Sequence, residues 1–456
     1  MDKSQPGRPL TRQDMAQGLA LGADTSLFTL FRDTMTGLEY IRSNQDLHQR
    51  GLYVELGAYR YHVFQDFREV QDTPWQPYGQ LAQQLSGRGV PSIEEALREL
   101  VLTPVLSPFS AVVNADTFRR LMNELAPVED GGRKTEDGGP KTLDRGRTTE
   151  DGRKQKAASG EQQAADEAAP SAVHRLPSDL PPLPTLLDEV EQKVTALLTD
   201  IKAFEGGSGD PAAIAAEIRR ELEALAGIPD LAERFPAPGV ADYSSAAAYL
   251  RAGLDHNPEI WGAVLAWVFT HSLGKVVTQD GYEQQSRTWL DEWRLGRVIT
   301  QTLMAMGVEE AAALRAMAAV RVFVAHQASF DAELDPSHQA YQVLDAWLKD
   351  HDIQQLLQVN RYQNTLWFNR EAFERLVWGM LLRAAIRLTA QPGQSADKVA
   401  EALATRYRIV EQLRRAEAQS GYQVEKLLAA VRPVAESGRQ KAEGGKQKPE
   451  GVMREA

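Results

Sequence analysis

The stretch TLLDEVEQKVTALLTDIKAFEGGSGDPAAIAAEIRRELEAL, residues 185–225, decides the fold class of this chain. Its apolar residues recur every three or four positions, which is the spacing of one face of an α-helix. Gly206-Gly207 ends the first helix, and Asp210-Pro211 provides the N-cap and the first residue of the second. The predicted inward residues are Leu186, Leu187, Val190, Val194, Leu197, Leu198 and Ile201, followed by Ile214, Ile218, Leu222 and Leu225.

Helical spacing continues through most of the remaining sequence and predicts an α-helical domain over residues 181–433. Asn369 is the predicted N-cap of the helix at 370, and Phe368 and Phe373 occupy the positions of a hydrophobic staple. Helices are predicted over 259–276, 283–306, 309–328, 337–349, 370–389, 395–416 and 421–432.

The N-terminal part has a different pattern. Between Leu27 and Val70 the runs LFTLFRD, GLEYI, GLYVEL and YRYHVFQDF predict about four short strands. A capping box at Ser92 predicts a helix that Pro104 should end, and a second short helix begins near Asp116. Residues 27–126 are therefore predicted to form a small β-rich unit with flanking helices.

Three segments lack apolar content and are predicted to be flexible. Residues 1–26 form a polar lead-in, residues 127–180 a low-complexity linker with a repeated TEDG, and residues 434–456 a solvated tail. Such segments cannot bury enough apolar surface to offset chain entropy. The predicted fold class is mainly α with a small β-sheet N-terminal unit (α+β), a helical C-terminal domain, and a disordered linker and tail.

Composition narrows the classes of partner. The 456 residues carry a net charge of −12 without a clustered basic stripe, which argues against nucleic acid and against an anionic membrane surface. There is no cysteine and no apolar signal sequence, so we expect a cytoplasmic protein. No Gly-rich phosphate loop follows a strand, and no histidine pair has zinc-ligand spacing, so no cofactor and no metal are predicted.

Four strings carry a resemblance to a known family. They are GLEYI (37–41), GLYVELGAYRYHVFQDFREV (51–70), GRGVPSIEEAL (87–97) and VNRYQNTLWFNREAFERLVW (359–378). They resemble the region that follows the catalytic barrel in a group of bacterial α-amylase-like proteins of glycoside hydrolase family 13. The resemblance covers about 100 residues near the start and is patchier across 180–430, where the fourth string resembles a helical extension found in that group.

The resemblance implies an accessory or interface region of an α-glucan-processing glycoside hydrolase. The βαβ alternation of a catalytic barrel is absent, and so are the family's signatures around its two catalytic carboxylates. We therefore predict no catalytic residue here and no cleavage of glycosidic bonds by this chain alone. The implied partners are a family-13 barrel, on a separate chain or a lost N-terminal half, and an α-glucan. The family signature that pairs His with Asp is matched only in part, by Asp255-His256 and Asp350-His351-Asp352.

Two other classes of function stay open at this stage. One is an α-helical interaction or scaffold module unrelated to carbohydrate. The other is an enzyme with an unrecognised site in the helical domain, which a polar pocket with shifted pKa values would support. His271 and His326 lie within apolar helices and are interpreted as core histidines bonded to backbone carbonyls.

Tyr59, Tyr61 and Trp75 are the candidates for carbohydrate contact, because sugar-binding modules stack pyranose rings on aromatic faces. A predicted strand over 58–67 would place Tyr59, Tyr61 and Val63 on one face. The alternative is that both tyrosines belong to the small β core. Trp289 and Trp293, four residues apart, are interpreted as a helix-packing pair.

Leu27, Phe28, Leu30 and Phe31 are the candidates for an interface. They make the first predicted strand apolar on both faces, which is unusual for a strand at the surface. We therefore expect this strand to be an open edge that the helical domain, a second copy or a barrel-bearing partner covers.

Overall fold

The structure is a computed structural model that describes residues 13–125, 183–228, 231, 245–254, 257–331 and 336–433. The predicted linker over 127–180, the predicted tail over 434–456 and Asp255-His256 lie outside the described residues. Of the predicted lead-in, residues 13–26 are described and include one short helix.

The fold class is confirmed: the described residues are mainly α-helical, with a small antiparallel sheet near the N-terminus. The strands are β1 Leu27–Asp33, β2 Glu39–Ser43, β3 Phe64–Gln71, β4 Asn360–Tyr362 and β5 Thr365–Trp367. The α-helices are α1 Met15–Gly18, α2 Asn44–Arg50, α3 Tyr78–Leu85, α4 Ile93–Val112, α5 Ala115–Leu125, α6 Leu183–Glu205, α7 Pro211–Gly227, α8 Ala246–Gly253, α9 Pro258–Thr270, α10 Tyr282–Glu292, α11 Leu295–Ala305, α12 Glu310–Ala325, α13 Pro336–Lys349, α14 His351–Leu356, α15 Arg370–Ala390, α16 Ala396–Ser420 and α17 Val424–Ala430. A 3-10 helix spans Leu273–Val276.

The prediction of four strands in the N-terminal unit is wrong. The sheet has three strands in the order β2-β1-β3, and residues 51–63, including GLYVEL, form no strand. β3 begins only at Phe64, so the predicted strand over 58–67 is mostly irregular chain. A bulge then places two residues opposite Phe31, with Asp66 at φ 58°. A bulge interrupts the alternation of faces on which the period-two interpretation depended.

The expectation that β1 is an open edge is also wrong. Phe28 pairs with Ser43 of β2 on one side and with Val70 of β3 on the other, so β1 is the central strand. A central strand covered on both faces carries apolar residues on both, as a buried strand does. The open edges of this sheet belong to β2 and β3.

The two faces of β1 pack differently. Phe28 and Leu30 enter a small core built from the sheet, α3 and α4. Phe31 points to the other face, where its ring lies 5.2 Å from the rings of Phe64 and Phe67 and 5.6 Å from that of Tyr40. The remaining buried residues of the small core are Ile41, Tyr78, Leu81, Leu85, Ile93 and Leu97.

Helix α4 continues through Pro104, which was predicted to end it, and also through Pro108. Each proline inside a helix removes a hydrogen bond and costs about 3 kcal/mol or more. Four large side chains of α4 are buried in the large core, and full burial of such side chains is worth about 1.5–3 kcal/mol each; they are Leu102, Val105, Phe109 and Val112. Tertiary packing therefore outweighs the local preference to stop.

The large core joins the second half of α4, the buried face of α5 and the helices from α6 to α17. The chain is thus continuous in packing across the predicted boundary at 126, because α4 contributes its first turns to the small core and its later turns to the large one. Buried α5 residues at the predicted spacing confirm the helix near Asp116. Every inward residue predicted for α6 and α7 is buried.

Most other predicted helices are present with small shifts. One exception is the predicted helix over 283–306, which is divided into α10 and α11 at Arg294, a residue with φ 57°. The N-cap at Asn369 and the staple are confirmed: the Asn369 side chain accepts from the Ala372 amide at 2.9 Å, and the rings of Phe368 and Phe373 lie 5.4 Å apart. The β4–β5 hairpin was not predicted.

Among the described residues, Ile93–Leu125 has the length and composition to cross a membrane, with a mean hydropathy of 1.4 in its most apolar window. In the structure this stretch is two helices, α4 and α5, separated at Val113-Asn114. Their apolar side chains contribute to the large core.

Candidate functional site

An unusual apolar surface lies between α2 and β3. In residues 51–63, here called the aromatic segment, Tyr59 is fully exposed and Tyr53, Leu56 and Tyr61 are each more than half exposed. Val63 at the end of the segment is also exposed. The interpretation that Tyr59 and Tyr61 belong to the β core is therefore wrong, because their part of the chain has no strand partner.

Asp33 at the end of β1 holds the aromatic segment in place. Its carboxylate is buried and accepts hydrogen bonds from Nδ1 of His62 at 2.7 Å, the Thr36 hydroxyl at 2.8 Å and the Met35 amide at 3.0 Å. The Val63 amide also donates to it, at 3.4 Å. Burial alone would raise the pKa of Asp33, but these donors stabilise the charged form and hold its pKa well below the usual range.

A tight turn shapes the middle of the segment. The Arg60 amide donates to the Gly57 carbonyl at 3.1 Å, and Tyr59 has φ 62°. A non-glycine residue in this left-handed region costs about 1–2 kcal/mol. The Tyr59 side chain is fully exposed, so it gains no compensating packing from the residues that the structure describes. The turn therefore presents an aromatic ring outward at an energetic cost.

Trp75 does not join this surface. It is 88% exposed in the turn after β3, where the backbones of Thr73 and Gln76 bond each other at 3.1 Å. The eight residues of β3 separate the aromatic segment from this turn. At about 3.3 Å per residue, the two lie on the order of 25 Å apart. The three sequence candidates for carbohydrate contact therefore fall at opposite ends of one strand.

The four interface candidates lie inside the N-terminal unit. Phe28, Leu30 and Phe31 are buried by this chain's own residues, and Leu27 is half-buried at the start of β1. Their apolar character is explained by the central position of β1, without a partner.

The sequence did not reveal a buried polar cluster in the helical region. Nε2 of His271 lies 2.7 Å from Oε2 of Glu221, and its Nδ1 lies 3.1 Å from Oε1 of Gln327. All three side chains are buried, and the Trp267 ring stacks on the imidazole at 4.6 Å. His271 is therefore a core histidine as predicted, but its partners are side chains instead of a backbone carbonyl. His326 likewise contacts a side chain, Asp350.

Arg383 and Tyr282 extend this cluster. The Tyr282 hydroxyl donates to Gln327 at 3.4 Å, and burial raises the pKa of Tyr282 to about 12. Burial lowers the pKa of Arg383 to about 9, and the nearby charge of Arg387 acts in the same direction. Nε and Nη1 of Arg383 have no hydrogen-bond partner among the described residues. Because Glu221 and His271 are almost fully enclosed, a substrate could reach them only if helices moved apart.

Other charged residues singled out in the sequence have structural roles here. Asp350 caps α14 by accepting from the amides of Asp352 and Ile353, and Asp352 forms an ion pair with Arg287. Trp289 and Trp293 are buried and stack at 4.1 Å, as predicted for a packing pair. Within the described ranges, no group of three or more His, Asp or Glu side chains could hold a metal ion.

No family model, no curated protein and no solved structure matches this chain. Function therefore rests on the residues themselves and on the resemblance of the four strings.

Proposed function

We propose that this chain is an accessory region of an α-amylase-like, α-glucan-processing glycoside hydrolase, and that its aromatic segment docks against a catalytic barrel. One observation carries the proposal. The family-like string at residues 51–70 begins with a run in which most of the large apolar side chains face solvent instead of this chain's core. Exposed apolar side chains are available to pack against a neighbour, and exposed apolar patches mark interaction sites.

The chemistry of the aromatic segment suits a protein partner. Tyrosine is enriched in the buried centres of interfaces, and the segment exposes three tyrosines together with Leu56 and Val63. The hydrogen bonds to Asp33 anchor one end of the segment before any partner arrives. An anchored segment loses less conformational entropy on binding than a free one.

Glucan binding is the second candidate for the same surface. The full exposure of Tyr59 favours it, because a pyranose ring can stack only on an aromatic face that is open to solvent. Tyr61 is next to it in the same turn region. Trp75 would be a separate contact, since β3 lies between the two.

The decisive experiment measures binding of the full chain to the purified catalytic barrel of an α-amylase-like hydrolase from the resembling group. Leu56→Asp should abolish binding, because the change would bury an unpaired charge at the joint. Leu314→Asp on α12 is a matched control, since Leu314 is 55% exposed and Leu56 is 59% exposed. Docking would be contradicted if the unmodified chain does not bind the barrel, or if Leu56→Asp and Leu314→Asp bind it equally well.

Affinity electrophoresis in soluble starch separates the two candidates. Retardation that Tyr59→Ala removes, in a chain that does not bind a barrel, would favour glucan binding. If the chain binds neither the barrel nor starch, an interaction module unrelated to carbohydrate would be favoured. The chain alone should release no reducing sugar from starch above a heat-treated sample.

A further inference from the structure

A pocket opens in the helical region between α9, α12 and α15, away from the aromatic segment and from the buried His271 cluster. The space inside it that the centre of a water-sized sphere can reach is about 90 Å³, which is several times what one water molecule needs. Its lining is mostly apolar, as in small-molecule sites. The buried part of its lining consists of Ala263, Val264, Ala316, Phe323, Ala372 and Leu376.

Small side chains keep this space open. Ala263, Ala316, Ala319 and Ala372 come from three different helices and line the pocket where longer side chains would fill it. Protein interiors are otherwise packed as densely as organic crystals, so unfilled apolar volume lowers stability. The Phe323 ring packs against Gly379, and a Cβ at that glycine would collide with it.

The mouth of the pocket is positively charged. Arg315, Arg375 and Gln358 are exposed at its rim, and Glu259 is half-buried beside them. Nε of Arg315 lies 4.0 Å from the Glu259 carboxylate. Arg375 forms no ion pair or hydrogen bond within the part of the chain that the structure describes. Two guanidinium groups against one carboxylate leave one positive charge uncompensated.

We propose that this pocket binds an amphiphile with one apolar chain and a single anionic headgroup, such as an alkyl carboxylate. The chain occupies the alanine-lined floor, and the headgroup lies at the mouth beside Arg375 and Arg315. The unpaired guanidinium complements one negative charge, and the apolar floor removes the chain from water. A sugar fits poorly, because the floor offers aliphatic carbon where hydroxyl groups need hydrogen-bond partners.

A headgroup series on the full chain tests this site directly. Titration calorimetry with decanoate, decyl sulfate, decanol and decyltrimethylammonium keeps the chain length constant and changes only the charge. We expect the two anions to bind with the highest affinity, decanol with lower affinity, and the cation with the lowest. The two anions differ in headgroup geometry, and a preference for decanoate over decyl sulfate would identify the carboxylate as the natural group.

Two pairs of variants locate the binding. Arg375→Gln should weaken decanoate about fivefold and leave decanol unchanged, as for an ion pair near the surface worth on the order of 1 kcal/mol. Arg408→Gln on α16, another exposed arginine without an ion pair in the described residues, is its control. Ala319→Phe should abolish binding of both decanoate and decanol by filling the pocket.

Ala318→Phe is the control for Ala319→Phe, because Ala318 is equally half-buried on the same helix and lines a different surface groove. Both phenylalanine variants are checked for native circular dichroism before titration. The proposal is overturned if the unmodified chain binds no decanoate, if decanol binds as tightly as decanoate, or if Ala319→Phe binds as well as Ala318→Phe.

Discussion

The aromatic segment and helix α6 are both rich in apolar residues, but α6 buries its apolar side chains and the aromatic segment exposes most of its large ones. α6 buries its whole apolar face, from Leu186 to Ile201, against its neighbours. The aromatic segment, which is the more apolar of the two in sequence, leaves its large side chains in solvent. The difference shows that spacing, and not apolar content alone, decides what this chain uses for its own core. Apolar residues without a regular spacing stay exposed and are available for contact with a partner.

The largest expected effect tests this contrast with one pair of leucines. Leu198→Ala in α6 should lower the free energy of unfolding by about 2–5 kcal/mol, because Leu198 is completely buried. Leu56→Ala in the aromatic segment should change it by less than about 0.5 kcal/mol. Urea denaturation followed by circular dichroism measures both. A comparable loss for Leu56→Ala would mean that the segment packs within the chain.

Buried polar groups give the next largest effect. Glu221→Ala should cost about 1–3 kcal/mol, because it leaves Nε2 of His271 without its partner in a fully buried site. The double variant Glu221→Leu with His271→Phe should cost less than the sum of the two single changes. Additive losses in the same denaturation assay would show that the two side chains are not coupled.

Helix α4 contributes to both the small core and the large core. It contains an exposed proline, Pro104, that disfavours the helix. Pro104→Ala should raise the free energy of unfolding by about 1–2 kcal/mol, since alanine restores the missing amide and suits a helix interior. Pro74→Ala, in the turn before α3, should change it by less than about 0.5 kcal/mol. A loss of stability in Pro104→Ala would mean that packing around α4 requires the bend at this proline.

The smallest effect concerns the anchor of the aromatic segment and depends on pH. The pKa of Asp33 is lower in the folded chain than in the unfolded one, whose aspartates titrate near about 3.9. Its contribution is therefore fully present above that pH and is lost as pH falls toward the lower folded value. The difference in thermal midpoint between the unmodified chain and Asp33→Asn should narrow below about pH 4.

Asp46→Asn is the control for this pH series, because Asp46 is exposed in α2 and makes no ion pair in the described residues. Its thermal midpoint should follow that of the unmodified chain at every pH. If the difference in thermal midpoint between the unmodified chain and Asp33→Asn stays constant down to about pH 2, the hydrogen bonds to Asp33 do not depend on its charge.

The sequence by itself determined the helical body. Local rules were sufficient there, because the spacing of α6 and α7, the Asp210 and Asn369 caps and the Phe368–Phe373 staple act between residues close in the chain. The sequence also supplied the candidates Tyr59, Tyr61 and Trp75, although it placed the tyrosines on a strand that begins only after them, at Phe64.

Only the tertiary structure decided the features that depend on distant residues. The central place of β1, the bulge at Asp66 and the passage of α4 through Pro104 each depend on partners elsewhere in the chain. The His271–Glu221 pair joins residues 50 positions apart, and the alanine-lined pocket is enclosed by three helices. No local pattern records such contacts, because strand pairing, buried hydrogen bonds and cavities are properties of surfaces that meet only after folding.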